Sequence, residues 1–236
     1  FEDFIGEGMI KAIFFDAAGI LYTRSGPTEE FAIALLQKEG YPVVIDEKQL
    51  ENQLKLRSQA NSGTVSHDVY WDRYLSMRKV NDPQKRKDYT NRIITYSNDV
   101  QPMEGADGAL RELSHRGFTL GIITDTMYPL EWKMKRLEKA GVAEYIKIVA
   151  CSTELGAHKP DPAVYAYAIR QAGLQPDETA FVGHLGVELE GAHKAGMITI
   201  AIHHDPGTQA DHFCNSIADL PTLAIFQNLE KRSANE

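Results

Sequence analysis

Short apolar runs alternate with amphipathic helical stretches over most of this 236-residue chain. Such alternation is typical of a parallel sheet whose right-handed crossover helices cover both faces. The predicted strands are residues 10–15, 118–124, 146–151, 179–182 and 198–202. The helices predicted between them are residues 106–116, 130–140, 163–172 and 188–195, and each has a terminating glycine, Gly117, Gly141, Gly173 or Gly196. We therefore predict a doubly wound, Rossmann-like α/β fold.

One long segment interrupts this alternation. Between residues 24 and 101 no strand pattern is found, and the apolar spacing instead predicts four helices, at residues 29–39, 47–59, 66–78 and 83–98. We predict an α/β core formed by residues 9–22 and 101–230, with residues 23–100 inserted as a helical-bundle cap. The segment before Met9, residues 1–8, is predicted to be an extension or a disordered start, and the polar residues 231–236 to be frayed.

Composition and charge limit the partners of the protein. A net charge of −8 provides no basic excess for nucleic acid or an anionic membrane, although one local cation suffices to bind a small anionic substrate. No apolar run approaches the ~20 residues that cross a bilayer. Two cysteines, Cys151 and Cys214, form no disulfide framework. We expect a cytoplasmic monomer or homodimer that acts on a small anionic molecule.

Polar residues follow four of the predicted apolar runs. Asp16 ends the first, Thr124 and Asp125 end the second, Lys159 precedes a helix, and Gly183-His184 ends a fourth. Because ligands of such folds bind outside the carboxyl ends of the strands, these segments are expected to converge on one crevice.

The residue types in this crevice suit nucleophilic attack on a phosphoryl group. Asp16 offers the nucleophilic oxygen, and an adjacent Lys159 ammonium would keep it ionised and offset phosphate charge. Thr124 offers a hydroxyl donor, and Asp125 is placed with it and Lys159 among the substrate-binding residues. The Asp16 carboxylate, the carbonyl of Ala18 and the Glu188 carboxylate are predicted to hold Mg²⁺.

Three stretches resemble the haloacid dehalogenase (HAD) superfamily, in particular its members with a helical cap inserted after the first strand. The resemblance covers nearly all of residues 9–226. The matching motifs are Phe14-Phe15-Asp16-x-x-Gly19-x-Leu21, then Ser152-Thr153-Glu154-Leu155-Gly156-x-x-Lys159-Pro160-Asp161-Pro162-x-x-Tyr165, and Phe181-Val182-Gly183 leading to Gly191-Ala192-x-x-Ala195-Gly196-Met197. The resemblance implies that Asp16 is the nucleophile, that Thr124 and Lys159 bind the transferred group, and that the insert is a mobile lid.

Three positions depart from the pattern of phosphatases in that family. Ala18 stands where those enzymes carry a second Asp as general acid, Ile20 where they usually carry Thr, and Leu185 where an acidic residue is usual. Glu188 is the acidic residue placed to substitute for the last of these. Loss of a positioned general acid lowers a rate by ~10²–10⁴, so a good leaving group is expected.

These departures leave three hypotheses for the function. The first is a HAD-like hydrolase that acts on a small phosphorylated or activated metabolite through an Asp16 intermediate with Mg²⁺. The second is a catalytically reduced protein of the same fold that binds a small anion or a partner. The third is a metal-independent dehalogenase or a C–P bond hydrolase, and the lysines available in the insert for a Schiff base are Lys38, Lys48, Lys55 and Lys79.

Overall fold

The computed structural model describes residues 9–229, so the predictions for residues 1–8 and 231–236 lie outside the described residues. In chain order the elements are β1 (Ala12–Phe15), β2 (Tyr22–Thr23), α1 (Thr28–Lys38), α2 (Glu47–Asn61), α3 (His67–Met77), α4 (Pro83–Asn98), β3 (Gln101–Pro102), α5 (Ala106–His115), β4 (Thr119–Thr124), α6 (Leu130–Lys139), β5 (Ile146–Cys151), α7 (Ser152–Leu155), α8 (Pro162–Ala172), β6 (Thr179–Gly183), α9 (Gly186–Lys194), β7 (Ile198–Ile202) and β8 (His212–Cys214). Short 3-10 helices occupy Ala143–Tyr145, Pro176–Glu178, Ile217–Thr222 and Ala224–Leu229. Across this described part, every helix is too short or too polar to traverse a lipid bilayer.

The core is a six-stranded sheet with the strand order β5-β4-β1-β6-β7-β8. All its neighbouring strands run parallel, and β1 lies between β4 and β6. This confirms the doubly wound, Rossmann-like α/β fold, and the predicted helices and strands agree with the structure to within two residues at every end. The strand β8 was not predicted, because three residues are too short a run to show a period.

Both faces of the central strand are buried. Ile13 and Phe15 pack into one apolar cluster, while Ala12 and Phe14 pack into a second cluster on the opposite face. Successive strand residues point to opposite faces, so a strand covered by helices on both sides must be apolar at every position. This explains why the first strand is a continuous apolar run, and it fixes Asp16 directly beyond its buried end.

The four helices α1–α4 lie between two short strands, β2 and β3, which pair as an antiparallel ribbon. Local sequence defines the helix starts: Asp46 caps α2 in a capping box with Gln49, Ser66 caps α3, and Asp82 precedes a proline at the first position of α4. The helices share their own apolar cluster, whose largest members are Trp71, Tyr70, Tyr74 and Tyr89. The assignment of residues 23–100 as a separate cap stays a prediction.

Gly121 in β4 provides a test of this packing. A Cβ at this position would lie 2.7 Å from Cε1 of Phe14 and 2.8 Å from the carbonyl oxygen of Ile148. We expect Gly121→Ala to lower the free energy of unfolding by ~1–3 kcal/mol, since a well-packed core must shift to accept the methyl group. In α5, a Cβ added to Gly108 would have no atom within 4 Å, so the control Gly108→Ala should raise stability by ~0.5–1 kcal/mol. Urea unfolding measures both, and an unchanged midpoint for Gly121→Ala would contradict the packing.

Candidate active site

Strand β1 delivers Asp16 to the carboxyl edge of the sheet. The Asp16 backbone N–H donates to the carbonyl of Val182 at 2.9 Å, and its Oδ1 accepts the N–H of Ala17 at 2.9 Å. The chain then turns at Gly19, which has a φ of +82° and approaches the His184 ring so closely that a Cβ would lie 3.1 Å from its Cε1. Glycine is required here by the backbone angle and by the imidazole together.

A buried lysine joins three carboxylates around this position. The Nζ of Lys159 lies 2.8 Å from Oδ1 of Asp16 and 2.7 Å from Oε2 of Glu188. Its backbone N–H donates to Oδ1 of Asp125 at 3.2 Å. Burial alone would lower the pKa of the Lys159 ammonium, but the adjacent Asp16 and Glu188 outweigh burial and raise it. The lysine is therefore a permanent cation inside the site.

The pKa values of the three carboxylates are shifted in different directions. Burial raises the pKa of Asp16, but Lys159, together with Lys133 and His184, outweighs burial and holds it below its usual value. For Glu188, burial and the nearby Asp16 outweigh Lys159 and raise the pKa to about 7. Burial also raises the pKa of Asp125. Asp16 is thus the carboxylate held ionised, while Glu188 lacks full compensation by cations.

Two polar side chains near Asp16 have no hydrogen-bond partner among residues 9–229. The Oγ1 of Thr124, at the end of β4, is buried without a partner. The Nδ1 of His184, just beyond β6, lies 3.6 Å from Oδ2 of Asp16, which is too long for a hydrogen bond. Buried polar groups in folded proteins are normally satisfied. His184 lines the cavity beside Asp16 and suits contact with a bound ligand, whereas Thr124 is not among the residues that line this cavity.

A cavity of about 540 Å³ opens beside Asp16. Its core-side walls include Lys159, His184 and Glu188, and its opposite wall includes Arg57 and Asn61 of α2. A second cavity of about 510 Å³ shares Ala18, Arg24, Arg57 and His184 with the first and continues to α6. The crevice therefore lies between the carboxyl edge of the sheet and the inserted helices.

The structure brings most of the predicted site residues together. Asp16, Ala18, Asp125, Lys159 and Glu188 all line the first cavity, and Thr124 ends the strand beside β1. The roles assigned to these residues stay predictions. Tyr22, Arg24, Lys133 and Arg136 also line the two cavities and were not predicted from the sequence. The detectable signal for the last two was that they stand on the otherwise apolar face of α6, on which Leu137 is buried.

The oxygen atoms in this crevice are suited to Mg²⁺. The described residues contain no group of three or more His, Cys, Asp or Glu side chains arranged around a common point. However, Mg²⁺ binds through one or two carboxylates together with water and substrate oxygens. Asp16 and Glu188 supply two carboxylates that share the Lys159 ammonium, and Ala18 lines the same cavity. The chemistry of these oxygen donors therefore fits the ion.

Comparisons with known proteins agree with this geometry. The glyceraldehyde 3-phosphate phosphatase of Methanopyrus kandleri is 28% identical to the chain, over 92% of the chain and 93% of that protein. A 2-haloacid dehalogenase from Pseudomonas syringae shares the fold with a TM-score of 0.66 at 24% identity, over 91% of the chain and 97% of that structure. A predicted phosphoglycolate phosphatase from Haemophilus somnus also has a TM-score of 0.66, at 20% identity, over 92% of the chain and 99% of that structure.

The family assignment rests on the greater part of the chain. The model of the haloacid dehalogenase-like hydrolases matches residues 13–202, a span that starts in β1 and ends with β7. It includes Asp16, Lys159 and Glu188, the three residues whose side chains meet in the crevice. The protein belongs to the haloacid dehalogenase-like hydrolases.

Proposed function

We propose that the protein hydrolyses phosphate monoesters of small metabolites, with Asp16 as the covalent nucleophile. The observation that carries this proposal is the ion pair between Asp16 and Lys159, which keeps the carboxylate ionised at the wall of a cavity. The phosphatase names of similar proteins support the same class of substrate.

In the first step the free Oδ2 of Asp16 forms a bond to phosphorus while the bond from phosphorus to the leaving oxygen breaks. Oδ1 is not free, since it accepts hydrogen bonds from Ala17 and Lys159. The Lys159 ammonium and the unpaired hydroxyl of Thr124 are the donors for the phosphoryl oxygens. Water then attacks phosphorus, inorganic phosphate leaves, and the Asp16 carboxylate is regenerated.

His184 is the side chain that we assign to proton transfer, because position 18 carries no carboxyl group. Its Nδ1 is 3.6 Å from Oδ2 of Asp16 and has no partner among the described residues. Histidine is the residue most used as a general acid and base. As an imidazolium it gives a proton to the leaving oxygen, and as an imidazole it accepts one from the attacking water.

Mg²⁺ belongs to this proposal as the cofactor. Asp16, Glu188 and the carbonyl of Ala18 would hold it, and it would neutralise charge on the phosphoryl oxygens.

The inserted helices complete the proposal as a cap over the site. The Oγ of Ser58 in α2 lies 3.0 Å from Nε2 of His158, the residue before Lys159. This helix therefore reaches across the crevice to the loop that carries Lys159. Opening of such a cap admits substrate and its closure excludes water.

The structure does not favour C–P bond hydrolysis through a lysine of the insert. Lys38, Lys48, Lys55 and Lys79 are all exposed, and none is among the residues that line the two cavities around Asp16. A Schiff-base lysine must reach the reacting carbon, and these four do not face it.

Replacement of the nucleophile tests the proposal directly. We expect Asp16→Asn to lower the Mg²⁺-dependent hydrolysis of p-nitrophenyl phosphate and acetyl phosphate by more than ~10⁴-fold, because the covalent route is lost. The control Asp177→Asn changes an exposed carboxylate outside the crevice and should keep full activity. Phosphate binding by the wild type without any turnover would instead support a binding protein.

Restoration of a carboxyl group at position 18 tests what limits the rate. We expect Ala18→Asp to raise kcat for an alkyl phosphate such as glycerol 3-phosphate by ~10-fold or more, since an alkoxide leaving group gains a second proton donor besides His184. The rate with p-nitrophenyl phosphate, whose leaving group needs little protonation, should change less than ~3-fold on the same principle. Equal effects on both substrates would contradict the role given to position 18.

The metal site is tested by binding rather than by turnover. We expect Glu188→Gln to weaken Mg²⁺ binding, measured by calorimetry without substrate, by at least ~10-fold, because a charged oxygen ligand is lost. Glu190 on the same helix is exposed and pairs with Lys194, so Glu190→Gln is the matched control and should bind Mg²⁺ as the wild type does. An unchanged dissociation constant for Glu188→Gln would remove Glu188 from the site.

A further inference from the structure

Two buried cations near the site have no anionic partner. Lys133 and Arg136, three residues apart on α6, are only 2% and 4% exposed. Within residues 9–229 neither forms an ion pair with a carboxylate; their hydrogen-bond partners are neutral oxygens. Burial of a charge is costly unless it is paired. Among the described residues, the fold therefore keeps two buried positive charges without a carboxylate in ion-pair contact, and Lys133 acts on Asp16 only at longer range.

Neutral contacts hold these cations in place. The Nζ of Lys133 donates to the hydroxyl of Tyr22 at 3.0 Å and to the carbonyl of Asp125 at 3.3 Å. The Nη2 of Arg136 donates to Oδ1 of Asn98 at 2.8 Å. Arg24, which faces the same cavity, donates to the hydroxyl of Thr28 at 2.9 Å. These contacts orient the three side chains and leave their charge uncompensated.

The positive charge of these side chains shifts the pKa of two groups among them. Burial raises the pKa of the Tyr22 phenol, but Lys133 and Arg136 outweigh burial and lower it. Burial, together with Arg24, lowers the pKa of the Arg136 guanidinium. By contrast, Arg57 on the facing wall is paired with Glu29. Tyr22, Arg24, Lys133 and Arg136 form a cluster whose positive charge has no ion-paired carboxylate among the described residues.

The cluster opens into the same space as the nucleophile. Arg24, Lys133 and Arg136 line the second cavity with Ala18 and His184, and Tyr22 lines the first cavity with Asp16. A short chain of contacts links the two ends: Lys133 binds the carbonyl of Asp125, whose carboxylate binds the backbone of Lys159, whose ammonium binds Asp16. An anion at the cluster would therefore lie in the same crevice as a phosphoryl group at Asp16.

We propose that Lys133 and Arg136, with Tyr22 and Arg24, bind a carboxylate of the substrate, so that the substrate is a short-chain phosphorylated carboxylic acid. This inference rests on the proposed phosphatase activity and adds the class of the leaving alcohol. The adjoining cavities favour a compact substrate that spans both groups, and the phenol hydroxyl of Tyr22 supplies a neutral donor beside Lys133.

Matched three-carbon substrates test the carboxylate site. 3-Phosphoglycerate differs from glycerol 3-phosphate by a carboxylate in place of a hydroxymethyl group, and from glyceraldehyde 3-phosphate by a carboxylate in place of an aldehyde. We expect kcat/KM of the wild type to be at least ~10-fold higher for 3-phosphoglycerate than for the other two, since charge-assisted hydrogen bonds to the carboxylate are specific to it. Equal values for all three would overturn the inference.

Variants on α6 distinguish an effect of the cationic cluster from an effect of the net charge of the protein. Lys133→Met should reduce the preference for 3-phosphoglycerate by ~10-fold through a higher KM, because one charge-assisted contact is lost. Lys135→Met removes an exposed lysine from the same helix and should leave the preference unchanged. If Lys133→Met does not fold, Arg136→Gln gives the same comparison. A preference that survives in the folded Lys133 or Arg136 variant would contradict the assignment.

Ligand binding to the Asp16→Asn variant, measured by calorimetry, distinguishes failure of the phosphatase proposal from failure of the carboxylate site. Tighter binding of 3-phosphoglycerate than of glycerol 3-phosphate, together with no turnover by the wild type, would overturn the phosphatase proposal and support the carboxylate site. Turnover of both compounds without any preference in rate or binding would support the phosphatase and overturn the carboxylate site.

Discussion

The contact between Lys159 and its two carboxylates is the interaction on which the site depends. A single ammonium lies between Asp16, which follows β1, and Glu188, which lies in α9. The lysine itself precedes α8 and is held by Asp125 at the end of β4. Four separate elements of the core are therefore tied together by one buried charge, and removal of that charge would leave carboxylates without compensation. The same ion pairs of Lys159 therefore position the side chains of the site and hold the ends of these elements together.

His184 is the side chain that lies beside Asp16 while position 18 carries no carboxyl group. The ring of His184 lies over Gly19, in the turn that follows Asp16, and faces the free oxygen of that carboxylate. A side chain from the neighbouring strand end thus occupies the region beside the nucleophile. In the proposed mechanism the proton donor is therefore supplied by the residue that follows β6 instead of by the turn after β1.

The fold and the residues around Asp16 could be predicted from the sequence, because both follow from the local pattern of apolar runs and of the polar residues that come after them. Apolar runs predicted the strands, and strand ends predicted Asp16, Asp125, Lys159 and Glu188 at one edge of the sheet. Lys133 and Arg136 were not predicted, since charged residues in an amphipathic helix normally face solvent; their place on the face of Leu137 was a signal, but only tertiary packing shows that they are buried. The β2–β3 ribbon was missed because two-residue strands carry no period.

The ribbon has an evolutionary consequence. The chain enters and leaves the four inserted helices through two adjacent strands of two residues each, Tyr22–Thr23 and Gln101–Pro102. Because the two ends already lie side by side, the intervening segment can lengthen, shrink or be replaced at little entropic cost to the sheet. The cationic pair on α6 lies outside that segment. Lineages that exchange the helices would therefore inherit Asp16 and the buried cations of α6 together, and would vary only the wall of the crevice that the inserted helices form.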